Sequence, residues 1–236
     1  IYDRILTEME KNFIAHLEDP SHPFLVCDNW YNPDEEAMVW KELDYYTHKR
    51  TLDEAKNGPV ATDAEGVPLA SNFRVYLDII YKDEFRYMSS ILNSMYKLQD
   101  KKLKNYIWDN MRPGPFNQYQ GTNYDSTLIS YYHNGDYYKP HFDSFQFTTL
   151  IWFYKEPKAW EGGEFHFTDA KIKIPCVHNR MIMFPSFLNH AVTPLEFKEE
   201  QPLGYGRYTI THFFYSGPDT DIIPPSQRAP LEEQNK

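Results

Sequence analysis

YYHNGDYYKPHFDSF, residues 131–145, sets His141 and Asp143 two positions apart in a run that also holds four tyrosines and a glycine. In an extended chain alternate side chains share a face, so His141 and Asp143 point to one side and Phe142 to the other. Two ligands can then reach one point. A third comes from MIMFPSFLNHAVTP, where His190 stands at the junction of a turn with a new β-like run, 47 residues beyond Asp143. Two imidazoles and one carboxylate make the facial set that binds ferrous iron and leaves adjacent coordination positions open. His133, His166 and His178 also lie near strands. His166, between two phenylalanines, reads as a sheet histidine rather than a ligand.

An iron centre that activates oxygen needs two further electrons, for which a bound 2-oxo acid is a common source. Such a cosubstrate ends in a carboxylate, and a guanidinium offers it a matched bidentate clamp. GYGRYTITHFFY supplies one: Arg207 and Thr209 share a strand face 17 residues after His190, while His212 points to the opposite face.

The rest of the chain sets the frame. Its 236 residues, 41% hydrophobic and 17% aromatic, suffice for one filled core. A net charge of −10, from 24 basic and 34 acidic residues, repels phosphate backbones and anionic membranes, so no nucleic-acid partner is expected. No apolar run approaches a membrane span and the first residues lack a signal peptide's apolar region, so the expected location is cytoplasmic. Cys27 and Cys176, each beside a valine, read as buried free thiols.

Helical spacing of Ile5, Met9, Phe13 and Leu17 predicts an opening helix, followed by a strand in SHPFLVCDNWYNP and a second helix in NPDEEAMVWKELDYYTHKR, whose acidic start and basic end suit the helix dipole. Residues 52–72 and 111–126 read as long irregular segments able to close over a site. Between them FRVYLDIIY predicts a strand, and Phe85, Met88, Ile91, Leu92, Met95 and Leu98 one helical face. From about residue 126 to 216 short β-branched and aromatic segments alternate with turn residues. The expected organisation is a single mainly β domain with supporting helices over residues 1–218: helix-rich support to about 110, a β core over about 111–216, and a flexible tail at 219–236.

Tyr132, Gly135, Tyr138, His141, Asp143, Gly162-Gly163-Glu164, Pro175, Phe184-Pro-Ser186, His190 and Arg207-Tyr-Thr209, in this order and spacing, resemble the prolyl 4-hydroxylase-like branch of the iron(II)/2-oxoglutarate-dependent dioxygenases. The resemblance covers about residues 126–215 and implies a double-stranded β-helix, a cupin-like jelly-roll with the metal at its open end. It implies His141, Asp143 and His190 as iron ligands, Arg207 and Thr209 as the anchor of 2-oxoglutarate, and Tyr132 in the cosubstrate pocket. On the strand TTLIWFYK the expected cosubstrate neighbour is Phe153, or Tyr154 after a one-residue slip. Oxygen would be the second cosubstrate, with ascorbate in support. The branch points to a proline-containing peptide, on whose ring Phe116, Tyr119 and Tyr124 would stack. An oxygenase of a free amino acid or other small metabolite, and a non-catalytic metal-binding jelly-roll, are the competing readings.

Overall fold

The computed structural model describes residues 13–48, 51–112 and 114–217. In chain order its strands are β1 (Phe13–His16), β2 (Phe24–Cys27), β3 (Asp53–Glu54), β4 (Ala70–Ser71), β5 (Phe73–Tyr76), β6 (Tyr124–Tyr132), β7 (Tyr137–His141), β8 (Phe147–Phe153), β9 (Trp160–Gly162), β10 (Phe165–Phe167), β11 (Ile172–Ile174), β12 (Met181–Pro185), β13 (His190–Val192), β14 (Leu195–Phe197) and β15 (Arg207–Tyr215). The helices are α1 (Pro33–His48), α2 (Leu77–Ile80), α3 (Ser90–Gln99) and α4 (Lys101–Met111).

All seven residues of β8 are buried, because each of its faces meets a different layer. Phe147, Ile151 and Phe153 join a core shared with Val39 and Leu43 of α1, Ile91, Met95 and Leu98 of α3, and Ile107 of α4. Leu150 and Trp152, on the alternate face, join a second cluster with Tyr132, Phe165, Phe184 and Val192. The same alternation divides β15, whose Tyr208, Ile210 and Phe214 face the helices. Period-two sorting of this kind needs both faces covered.

Eight strands form the large sheet in the order β1-β2-β12-β8-β15-β6-β5-β3, and five form the facing sheet, β11-β10-β13-β7-β4. Every pairing is antiparallel, and β14-β9 adds a short ribbon. The architecture is a jelly-roll with the helices packed on the outer face of the large sheet. One rung crosses four strands, Trp152, Thr209, Ser130 and Arg74, and these four side chains face the inner side.

Local chemistry explains how α1 begins. Asn32 Oδ1 accepts from the backbone N–H groups of Asp34 and Glu35, both at 3.0 Å, and Glu35 Oε2 accepts from Asn32 N at 3.0 Å. This reciprocal cap satisfies amides that have no partner in the first turn.

Several upstream expectations change. Phe13–His16 is a strand paired with β2 rather than part of a helix, since the sheet edge offers Phe13 a buried position; Ile5 and Met9 lie outside the described residues, as does the expected tail at 219–236. The strand expected in FRVYLDIIY stops at Tyr76, where Asp78 turns back to accept from Ser126 Oγ and Thr127 N. Phe85 and Met88, 48% and 62% exposed, leave the expected helical face, because α3 starts only at Ser90 behind its Ser89 cap. Among the described residues no helix is long and apolar enough to cross a membrane.

Candidate metal and cosubstrate site

His141 ends β7 and His190 opens β13, and the two are direct cross-strand partners. Asp143 follows two residues later, held by its backbone N–H donating to Ser186 O at 3.0 Å. The structure brings these three together, with one ligand atom from each within 4.8 Å of the others. His141 Nε2 lies 3.9 Å from Asp143 Oδ1, and His190 Nε2 lies 3.6 Å from Oδ2.

The other ring nitrogens define the tautomers. His141 Nδ1 donates to Lys139 O at 2.9 Å and His190 Nδ1 to Leu188 O at 2.8 Å, which leaves both Nε2 lone pairs free for a metal. Burial first, and then the neighbouring His190, push the His141 pKa down to about 3, so this imidazole is neutral and ready to ligate. Tyr138 stacks on the His141 ring at 3.5 Å and 11°.

Thr148 Oγ1 donates to Asp143 Oδ2 at 2.7 Å and is linked to Ser186 Oγ at 2.8 Å. This outer contact orients the carboxylate without touching the metal position. Thr148→Val keeps the shape and removes the hydrogen bond, and is expected to weaken metal binding about 10- to 100-fold. Competition against a calibrated chelator measures it, and unchanged affinity would remove Thr148 from this role.

Arg207, 1% exposed, lies on the inner face of β15 with its Cζ 4.2 Å from the centre of the Tyr132 ring. One guanidinium nitrogen donates to Gly163 O, while Arg207 Nε, Thr209 Oγ1 and Trp152 Nε1 are buried without partners. Gly163 offers its carbonyl from a tight turn: Gly162 has φ +65°, and a Cβ there would lie 2.1 Å from Pro194 O. The Gly-Gly pair, legible in the sequence only as a turn, therefore also seats Arg207.

Unpaired buried polar groups are uncommon and costly, a buried unpaired cation most of all. Here Arg207 and Thr209 line the same cavity as the triad, about 300 Å³ in volume. A carboxylate presents the two acceptors that the Arg207 fork and the Thr209 hydroxyl lack, and two imidazoles beside a carboxylate suit ferrous iron. The residues fit both groups.

Other sequence-derived positions move. Phe153 faces the helices, packed on Tyr31, Trp40 and His178 at 5.7, 5.4 and 4.9 Å between ring centres, and does not line the cavity. Tyr154 lies past the end of β8, 5.6 Å from Trp160, and its hydroxyl accepts from His178 N. Leu150 and Trp152 line the cavity instead, because the pleat of β8 runs one residue out of step with the expected facing. Phe116 and Tyr119 are fully buried under the large sheet against Phe147, in a 3₁₀ turn rather than an open flap. Tyr124, 1% exposed, stacks on Tyr215 at 5.3 Å. None of these three can stack on a substrate, since core packing already occupies their rings. His166 lies mid-strand in β10, and His178 bonds Glu36, so neither joins the triad.

The sequence reading also passed over residues that line the site. Pro59, Val60 and Ala61 of the 52–72 segment, Arg74 and Tyr76 of β5, and Phe213 all do so. Only for Pro59–Ala61 did the sequence carry a signal, the long loop.

Residues 127–215 match the family model described as the 2OG-Fe(II) oxygenase superfamily. The matched stretch is the jelly-roll core that carries His141, Asp143, His190, Arg207 and Thr209. That match implies a dioxygenase-class oxidoreductase that uses Fe(II) and 2-oxoglutarate. No curated protein matches the sequence. Among solved structures, a Pseudomonas putida prolyl-4-hydroxylase is similar at TM-score 0.57 and 15% identity, over 90% of this chain and 99% of that one. A prolyl 4-hydroxylase from Phytophthora capsici gives 0.55 and 15%, over 92% and 66%. A 2OG-Fe(II) oxygenase family oxidoreductase from Burkholderia pseudomallei gives 0.53 and 13%, over 89% and 90%. At such identities these likenesses concern the fold.

Proposed function

We propose that this oxygenase hydroxylates an unactivated carbon of its substrate, coupled to conversion of 2-oxoglutarate to succinate and carbon dioxide, and that the substrate is a proline-containing peptide. The observation that carries the reading is the buried, unpartnered pair Arg207 Nε and Thr209 Oγ1 in one cavity with a triad of two imidazoles and a carboxylate. A closed structural metal site would need no such anion clamp. The similarity to structures named as prolyl hydroxylases supports proline as the first residue to test.

In this reading His141, Asp143 and His190 hold the ferrous ion, which together with 2-oxoglutarate and dioxygen supplies the oxidising chemistry. Thr148 and the carbonyls of Lys139 and Leu188 keep the three ligands oriented. Arg207 and Thr209 bind the far carboxylate of 2-oxoglutarate, and Tyr132 packs beside the guanidinium. Leu150, Trp152, Phe165 and Val192 form an apolar wall that keeps water out. Pro59–Ala61, Tyr76 and Phe142 form the side from which a peptide would enter. Phe142 is 65% exposed beside two metal ligands, a placement that favours a substrate contact.

Proline-containing peptides incubated with iron, ascorbate and 2-oxoglutarate are expected to gain one oxygen in step with succinate release, read by mass spectrometry. Oxidation of a free amino acid with peptides left unmodified would overturn the peptide reading and keep the oxygenase. Metal binding with no 2-oxoglutarate consumption under any substrate would favour a non-catalytic jelly-roll.

A further inference from the structure

Arg74 is a second guanidinium in the same cavity, and the clamp does not account for it. It is 6% exposed on the inner face of β5, two strands from β15 on the rung that holds Thr209. Nη1 donates to Pro59 O at 2.9 Å and Nη2 to Asn72 Oδ1 at 3.3 Å, while Nε is buried without a partner. Its Cζ lies 5.9 Å from the centre of the Tyr138 ring, which itself stacks on His141.

Among the described residues the arginines paired with carboxylates are Arg86 and Arg180; Arg74 and Arg207 have none. Among the described residues the one acidic side chain lining the cavity is Asp143. With a ferrous ion and dianionic 2-oxoglutarate in place, Asp143 and the two arginines leave the cavity with one positive charge in excess. Arg207 is by then neutralised at its own end, and the excess resides at Arg74. Two neutral oxygens and the Tyr138 ring offset only part of the cost of burying this cation, and a matching anion would offset the rest.

We propose that Arg74 is a carboxylate-binding position for the substrate, so that this oxygenase acts on a molecule bearing a carboxylate close to the carbon it oxidises. The inference rests on the hydroxylase reading above and narrows its substrate class. The carboxylate can belong to a peptide terminus, to an acidic side chain beside proline, or to a free amino acid; the chemistry that Arg74 reads is shared. Because Arg74 also holds the Pro59 carbonyl, the segment over the cavity is tied to the group that would meet the substrate. Nε and the unused N–H groups form the remaining side of the fork.

The test is calorimetric binding to protein loaded with manganese(II) and saturating 2-oxoglutarate, where turnover does not interfere and Arg207 is already occupied. The probes are matched pairs: N-acetylproline against its N-methylamide, and acetyl-Pro-Asp-amide against acetyl-Pro-Asn-amide, with free proline as a further carboxylate source. The carboxylate member of at least one pair, or free proline, is expected to bind about tenfold or more tightly than the neutral probes, the worth of one charge-assisted hydrogen bond. Arg74→Gln is expected to erase that preference and Arg74→Lys, which keeps the charge without the fork, to retain part of it. Equal binding within every pair in the wild-type protein, or a preference that survives Arg74→Gln, would overturn the proposal without needing any variant to be active. A separate arm keeps the two readings apart. Oxygen gain on neutral peptides with no carboxylate preference leaves the hydroxylase standing and removes Arg74, whereas carboxylate-selective binding without oxygen gain on any probe supports Arg74 and counts against proline hydroxylation.

Discussion

Alanine at His190 is expected to lower 2-oxoglutarate turnover by roughly three orders of magnitude, equivalent to about 4 kcal/mol in the activation barrier. The imidazole is one of three convergent side chains, and in the proposed metal site its loss would leave His141 and Asp143 alone to hold the ion. Two donors neither fix a facial geometry nor compete well with solvent for iron. The fold should survive, at a modest cost. His190 is 4% exposed and packs on Phe165 and Phe184, so truncation removes ring contacts and leaves the Leu188 carbonyl without its donor, a loss of about 1–3 kcal/mol. A thermal transition in metal-free buffer measures that part separately from turnover. His166→Ala is the control, since its ring lies mid-strand outside the triad and its removal should leave iron binding as it was. Stoichiometric iron binding by a protein lacking both the His141 imidazole and the Asp143 carboxylate would sink the metal assignment.

Arg207→Ala is expected to raise the 2-oxoglutarate concentration needed for turnover by tens to thousands of times, about 2–5 kcal/mol, while iron affinity changes little. The guanidinium is almost fully buried and stands outside the His141, Asp143 and His190 cluster, which is why the two effects should separate. Some of the loss would come from the Gly163 carbonyl and the Tyr132 ring, both of which Arg207 touches. Arg207→Lys restores charge without the bidentate fork and should fall between the two. Thr209→Val, which removes one neutral hydroxyl, should cost about 1 kcal/mol. Binding of 2-oxoglutarate followed by calorimetry on manganese-loaded protein checks the order of the three. Equal affinity in wild type and Arg207→Ala would move the clamp elsewhere.

The two predictions differ in how they could be reached. His141 and Asp143 are visible because a spacing of two in an extended chain sets two side chains on one face whatever surrounds them. Arg207 and Thr209 are visible for the same reason, and the match of residue type to chemistry makes both pairs specific. The third member of the cluster is already less local: His190 is recognisable by its setting, but only the pairing of β13 with β7 brings it opposite His141.

Facing was harder. On β8 every residue is buried, so hydrophobicity cannot tell the cavity side from the helix side, and Phe153 was expected where Trp152 stands. The 111–126 segment looked open because proline, glycine and amides crowd its sequence, yet Phe116 and Tyr119 are drawn fully into the core beneath β8. Composition carries no record of which surface a loop will meet.

Patterns that repeat over two to four residues, the ligand pair, the clamp pair and the period-two strands of the β core, are written locally and could be read before any folding. What required the folded chain is contact between segments far apart in sequence. The large sheet recruits β1, β2, β3 and β5 from the region expected to be helical support, and β5 beside β6 is what carries Arg74 into the cavity. No spacing rule relates Arg74 to Thr209, 135 positions later, because their meeting depends on how antiparallel strands are ordered in a sheet. That order follows from burying both faces of β6, β8 and β15 at once, a condition that belongs to the assembled layers rather than to any one stretch of sequence.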